Sequence, residues 1–88
     1  MQFRWNEWNE NHVSEHGVGP EEAEEVVRRA RPPYPLASAD EKFLVWGPTT
    51  EVKFLRVVFV IDEEDSVFII HARPLTDKEK KRYRRRVR

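Results

Sequence analysis

The chain has no cysteine among its 88 residues, which excludes disulfide bridges, thiolate metal sites and cysteine nucleophiles. It also lacks a long apolar run. The longest, Val57-Val58-Phe59-Val60-Ile61, falls far short of the roughly 20 apolar residues that a membrane-crossing helix needs. No apolar signal-peptide region follows the first methionine, so the expected location is soluble and cytoplasmic, with no membrane partner. There is no internal repeat, and only the basic C-terminal tail approaches low complexity. No cofactor motif is present, and neither a cofactor nor a metal is expected.

What remains suits one small domain spanning 1–88, because 39% hydrophobic and 11% aromatic residues can fill one core but not two. A charged fraction of 36% with a mean hydropathy of -0.79 leaves a heavily charged surface. The net charge of zero hides an asymmetry. Residues 1–51 carry 5 Lys and Arg against 10 Asp and Glu, a net −5, whereas residues 52–88 carry 11 against 6, a net +5. The second half is therefore suited to phosphates, although the whole chain is not generally basic.

Taken in order, Phe3-Arg4-Trp5 reads as a short edge strand, and Asn6 caps a helix from Glu7 to His16 that Gly17 ends. His12 and His16, four apart, place both rings on one side, which is half of a metal site without an evident third ligand. Gly19-Pro20-Glu21-Glu22 opens a second helix whose apolar face is Ala23, Val26, Val27 and Ala30; Arg31-Pro32-Pro33 stops it. Residues 34–42 read as a loop and Phe43-Leu44-Val45-Trp46 as a strand. Phe54 to Ile61 and Ser66 to Ala72 read as an antiparallel pair across the acidic turn Asp62-Glu63-Glu64-Asp65. Thr76-x-x-Glu79 then starts a basic helix over 76–88, with eight Lys or Arg among the eleven residues from Lys78 to Arg88. Its apolar edge of Leu75, Tyr83 and Val87 is thin, so unsupported last turns would fray. The fold class is α+β, with the order β-α-α-β-β-β-α and an antiparallel sheet packed by helices.

The acidic turn sets an expected register, with Ile61 facing Ser66, Val58 facing Ile69, Arg56 facing His71 and Phe54 facing Arg73. One sheet face then carries Leu55, Val57, Phe59, Ile61, Phe68, Ile70 and Ala72 and forms the core. Ile69, His71 and Arg73 fall on the other face. Its apolar residues imply a cover, supplied by the last helix or by another chain.

That strand end can support phosphoryl chemistry. A metal-independent ribonuclease needs an acceptor for the ribose 2′-hydroxyl proton, a donor for the leaving 5′-oxygen and cations around the phosphate. His71 can move protons near neutral pH; Arg56 and Arg73 can hold phosphate oxygens. Glu79 and Tyr83, four apart, can face one hollow, while Lys53, Lys80 and Arg84 join Arg56 as RNA-binding candidates. Each also has a structural reading: Arg73 pairs with Glu79, Glu79 caps its helix, and Tyr83 packs.

Residue order adds to this. Trp5 and Trp8 followed by His16-Gly17-Val18, then Pro20-Glu21-Glu22-Ala23, then His71-Ala72-Arg73-Pro74-x-Thr76-x-x-Glu79-x-x-x-Tyr83, resembles the BrnT toxin family from about Phe3 to Tyr83. The resemblance implies a RelE-like fold and a translation-arresting endoribonuclease of a type II toxin-antitoxin system. It also implies an RNA substrate and a partner, a BrnA-like antitoxin with a ribbon-helix-helix domain, held in a hetero-oligomer. It carries over His16, Arg73, Glu79 and Tyr83, with Lys53 at a commonly basic position. The chain departs from many members in having Glu15, not lysine, before the His-Gly pair. Glu15 and zero net charge favour the alternative, a catalytically silent interaction module of the same fold that binds a protein or nucleic acid.

Overall fold

A computed structural model describes residues 1–87 of the chain. Strand β1 (Phe3–Arg4) leads into helices α1 (Glu7–Ser14) and α2 (Pro20–Arg28). Strands β2 (Leu36–Ala37), β3 (Lys42–Pro48), β4 (Phe54–Ile61) and β5 (Val67–Pro74) follow, and α3 (Asp77–Arg86) comes last. This is an α+β fold with a five-stranded sheet in the order β1-β5-β4-β3-β2. None of the described helices is long and apolar enough to cross a membrane.

Two features correct the expected sheet. It is mixed, because β1 runs parallel to β5 through Phe3↔Val67 and Arg4↔Phe68. The two helices that follow β1 carry the chain across before β3 begins, and such a crossover permits parallel pairing. The segment read as a loop over 34–42 also contributes β2, which pairs with β3 through Leu36↔Leu44 and Ala37↔Phe43.

Helix α1 starts as its sequence dictates. The Asn6 side chain accepts from the Asn9 backbone N–H at 3.2 Å, and the Asn9 side chain accepts from the Asn6 N–H at 2.7 Å. Asn9 also donates to the Arg4 carbonyl at 3.1 Å, tying the helix to β1. The helix ends at Ser14, not His16: the His16 and Gly17 N–H groups bond three residues back, and Gly17 adopts φ +73°. That tightened turn lifts His16 off the helix. α2 buries Ala23, Val26 and Val27, as its spacing predicts.

The β4–β5 register differs from the expected one. Ile61 faces Val67 and Phe59 faces Ile69, but Val58 then faces His71 and Arg56 faces Arg73, so the ladder advances by one residue at a bulge. Two causes are evident. The acidic turn is closed by a hydrogen bond from the Asp62 N–H to the Ser66 carbonyl, which shifts the first pair, and Ile70 is the extra residue of the bulge. The core face thus holds Leu55, Val57 and Phe59 with Val67, Ile69 and Ala72, while Phe68, His71 and Arg73 face the other way. Ile69, expected beside His71, is instead fully buried in the core. α2 covers this core face, and α1 packs mainly along β5.

Helix α3 opens on a reciprocal cap, with Thr76 Oγ1 accepting from the Glu79 N–H at 3.2 Å and Glu79 Oε1 accepting from the Thr76 N–H at 2.8 Å. It stops at Arg86, where Val87 turns to extended backbone, short of the expected 76–88; Arg88 lies outside the described residues. Its thin apolar edge is reinforced by Arg86, which donates to the Tyr34 hydroxyl at 3.1 Å and lies over the Trp46 ring.

Asn9 is the structural pin of the α1 start. Asn9→Ala removes its side-chain bonds and orphans the Arg4 carbonyl and Asn6 N–H, so urea unfolding is expected to show a loss of about 2 kcal/mol. A variant as stable as the parent would show that the buried amide is dispensable.

Candidate active site

Cross-strand registry on the face opposite the α2-covered core builds two rows. Trp46 faces Arg56 and Arg56 faces Arg73; one row along, Leu44 faces Val58 and Val58 faces His71. The turn after α1 brings His16 edge-on to His71, with ring centroids 5.0 Å apart. His12 stands one helical turn earlier, stacked on Trp8 at 3.9 Å, with its Nδ1 2.7 Å from the Trp8 carbonyl oxygen. No group of three or more metal-ligating side chains is placed to hold an ion among the described residues.

The electrostatics of these rows differ from residue to residue. Burial pushes the His71 pKa below its ordinary value, and His16, Arg56, Arg73 and His12 push it further the same way. His71 is therefore uncharged at neutral pH and able to accept a proton. Its Nδ1 is buried without a hydrogen-bond partner among the described residues. The Arg56 pKa is also lowered, first by burial and then by Arg73, with Glu79 opposing. Among the described residues Arg56 forms no ion pair or side-chain hydrogen bond.

Arg73 is held differently. Its guanidinium donates to both Glu79 oxygens, at 2.8 and 2.9 Å, and to the Pro74 carbonyl at 3.0 Å. The Arg73 hydrogen bonds pull the Glu79 pKa down from 4.5 to about 2, helped by the cap to Thr76 and opposed by burial. Glu79 therefore stays ionised near neutrality and acts to orient Arg73, not to carry protons. Both structural readings of this pair, ion pairing and capping, are realised together.

The other sequence candidates lie elsewhere. Tyr83 is 5% exposed and packs between Tyr34 at 6.0 Å and Phe54 at 5.8 Å, and burial raises its pKa. A Cβ added at Gly47 would meet the Tyr83 hydroxyl at 3.7 Å and Val26 at 3.8 Å, so that hydroxyl reaches the α2 side, away from His71. Lys53 pairs with Glu22 at 2.7 Å, Lys80 approaches Asp77 at 3.8 Å, and Arg84 lies over the Phe54 ring at 5.7 Å. The structure thus brings together His16, His71, Arg56, Arg73 and Glu79; Lys53 and Lys80 line a neighbouring hollow with Gly17 and Pro74, and Tyr83 and Arg84 line another with Phe54.

Sequence reasoning passed over Trp46. It is 6% exposed, directly opposite Arg56, and its indole Nε1 is buried without a partner among the described residues. The available signal was the β3 register, which sets Trp46 beside Arg56. Compared with protein-family models, curated proteins and solved structures, the chain has no match.

Chemically, the cluster offers an uncharged imidazole, a second imidazole at ring contact, one arginine locked by a carboxylate and one arginine without an ion pair among the described residues. An oxyanion placed over Arg56 satisfies that cation and meets His71 and Arg73 beside it.

The depressed Glu79 pKa sets a pH dependence of stability. Above 4.5 the ionised pair contributes fully; as pH falls from 4.5 toward about 2, the unfolded chain takes up a proton that folded Glu79 resists, and stability falls. Urea unfolding across that range is expected to show the decline in the parent chain and a flatter profile in Glu79→Gln, which starts lower at neutral pH. Parallel profiles would rule out this linkage.

Proposed function

We propose that the chain is a BrnT-type toxin of RelE-like fold, a metal-independent endoribonuclease that inhibits translation and is neutralised by a BrnA-like ribbon-helix-helix antitoxin. One observation carries the reading: His71, held uncharged by burial and by neighbouring cations, lies beside Arg56, which has no ion pair among the described residues, with Arg73 fixed next to them. Arg56 and Arg73 hold the non-bridging oxygens of the scissile phosphate. His71 takes the 2′-hydroxyl proton as the 2′-oxygen attacks phosphorus; the bond to the 5′-oxygen breaks, and that oxygen leaves with a proton from His16. The products are a 2′,3′-cyclic phosphate and a 5′-hydroxyl end. Glu79 and the Thr76 cap position Arg73.

A second reading, a catalytically silent module that binds a protein or nucleic acid, is favoured by the neutralisation of Arg73 by Glu79 and of Lys53 by Glu22. The two separate on purified protein incubated with total RNA in the presence of chelator. The ribonuclease reading expects cyclic-phosphate ends and a kcat lowered about 10²- to 10⁴-fold in His71→Ala. Salt-sensitive binding with no cleavage at any protein concentration supports the silent module instead.

The pH profile adds an independent check. With His71 as base, the acidic limb of kcat/KM lies below the ordinary histidine value of about 6.5. Arg56→Gln removes a neighbouring cation that depresses His71, so the limb moves to higher pH even as KM rises. A limb indifferent to position 56 would remove His71 from the base role.

A further inference from the structure

The outward face of the β4–β5 hairpin carries apolar side chains that the core does not use. Val58, Val60, Phe68 and Ile70 belong neither to the buried core cluster nor to the side chains packed against it. Val60 and Phe68, cross-strand neighbours, stay half-buried, and Trp8, stacked on Phe68 at 6.0 Å, is 49% exposed beside them. The hairpin is also polarised along its length. Its turn holds Asp62, Glu63, Glu64 and Asp65, and its open end holds Arg56 and Arg73.

Neither end is neutralised where it stands. Arg4 pairs with Asp62 at 2.6 Å, but Glu63, Glu64 and Asp65 form no ion pair among the described residues, and Lys42, opposite Val60, offsets one of them at most. At the other end Glu79 consumes Arg73, Lys80 approaches Asp77 at 3.8 Å, and Arg56 forms no ion pair among the described residues. A segment that covers this face must be apolar in its middle, cationic where it meets the turn and anionic where it meets Arg56. A strand of RNA satisfies Arg56 alone. The hairpin itself, turned end for end, has the whole order. Arg56 and Glu64 lie equally far along the chain from Val60, so a two-fold axis across the strands near Val60 lays two hairpins antiparallel and face to face, with Glu64 of each copy over Arg56 of the other. A net charge of zero leaves no general repulsion between copies to oppose this.

We propose that this face is the interface of a two-fold dimer of the chain, in which the acidic turn of each copy sits against Arg56 of the other and the strips of Val60 and Phe68 pack together. The dimer closes over the His71 cluster of both copies, so that association shuts the site and dilution opens it. That consequence, unlike the interface, rests on the ribonuclease reading.

Sedimentation velocity of the full chain from about 1 to 300 µM tests it. The parent is expected to pass from monomer to dimer mass across that range, and to need about tenfold more protein to do so in roughly 0.5 M salt than in roughly 0.05 M. Arg56→Glu, and separately Glu63→Lys combined with Glu64→Lys, set like charges against each other at both ends of the dimer. Each variant, with folding checked by circular dichroism, is expected to stay monomeric. Mixed in equal amounts the two are expected to dimerise, because the altered turn then meets the altered position 56 while the unaltered pair meets as in the parent.

A parent chain that sediments as a monomer throughout would overturn the proposal and leave the face to a different protein. Dimerisation that persists in both variants, or a mixture that stays monomeric, would overturn it as well. RNA cleavage tests the consequence. The specific activity of the parent is expected to fall about tenfold as its concentration rises through the dimer range, and that of the turn variant to stay constant. Constant activity in a dimerising parent would overturn the closure of the site. Dimerisation rescued by mixing, in chains that never cleave RNA, would refute the ribonuclease reading and sustain the interface.

Discussion

Between Phe59 and Val58 the β4–β5 ladder advances by one residue, so that Phe59 faces Ile69 while Val58 faces His71. In an unbroken strand Ile69 and His71 share a face, and either the isoleucine is wasted on solvent or the imidazole is forced into the core. The extra Ile70 resolves this conflict. Ile69 and Ala72, three residues apart, both reach full burial on the helix-covered face, while His71 and Arg73 both turn outward. Bulges re-aim side chains where a strand must change its pattern, and here the bulge separates the packing half of β5 from its polar half.

The same shift places Arg56 directly opposite Arg73, an arrangement that is unfavourable between neighbouring strands. The Thr76 cap compensates half of it. By fixing Glu79 at the start of α3, the cap delivers a carboxylate to Arg73, and its two parallel hydrogen bonds consume that charge. Arg56 is left with the burial cost and the residual repulsion, without a hydrogen-bonding partner among the described residues. A site that keeps one cation uncompensated in this way is less stable empty than filled by an anion, and the unpartnered His71 and Trp46 nitrogens on the same face point the same way.

Local signals carried much of this into the sequence. The Asn6 cap, the apolar stripe Ala23-Val26-Val27 and the Thr76/Glu79 cap each depend on residues within one or two helical turns, and each is legible at that range. The strand pair Phe54 to Ile61 and Ser66 to Ala72, the second of which the structure moves to Val67–Pro74, is legible from its β-branched and aromatic run. Register was not, because counting outward from the turn assumes unbroken alternation, and neither the Asp62–Ser66 closure nor the bulge at Ile70 is marked by a glycine. Strand β1 and its parallel partner are 64 residues apart at Phe3↔Val67, beyond any local pattern. Arg56, His71 and Arg73 gather in either register, because the one-residue shift leaves all three on the same face. Trp46 did not emerge, since a tryptophan within a strand reads as core until its cross-strand neighbour is known.

The basic helix is where sequence and structure differ most in meaning. Eight cations in eleven residues read as a solvated face with a thin apolar edge. In the fold, the cations supply much of that edge: Arg86 roofs Trp46 and bonds Tyr34, Arg84 covers Phe54, and Tyr83 inserts between Tyr34 and Phe54. Guanidinium planes suit this work because they stack on rings while keeping their edges open to acceptors. The helix is thus held to the domain by the flat faces of its arginines, and among the described residues the N–H edges of Arg84 and Arg86 make one side-chain bond, to Tyr34. Charge that the composition presents as surplus therefore packs the end of the sheet as well as solvating the helix.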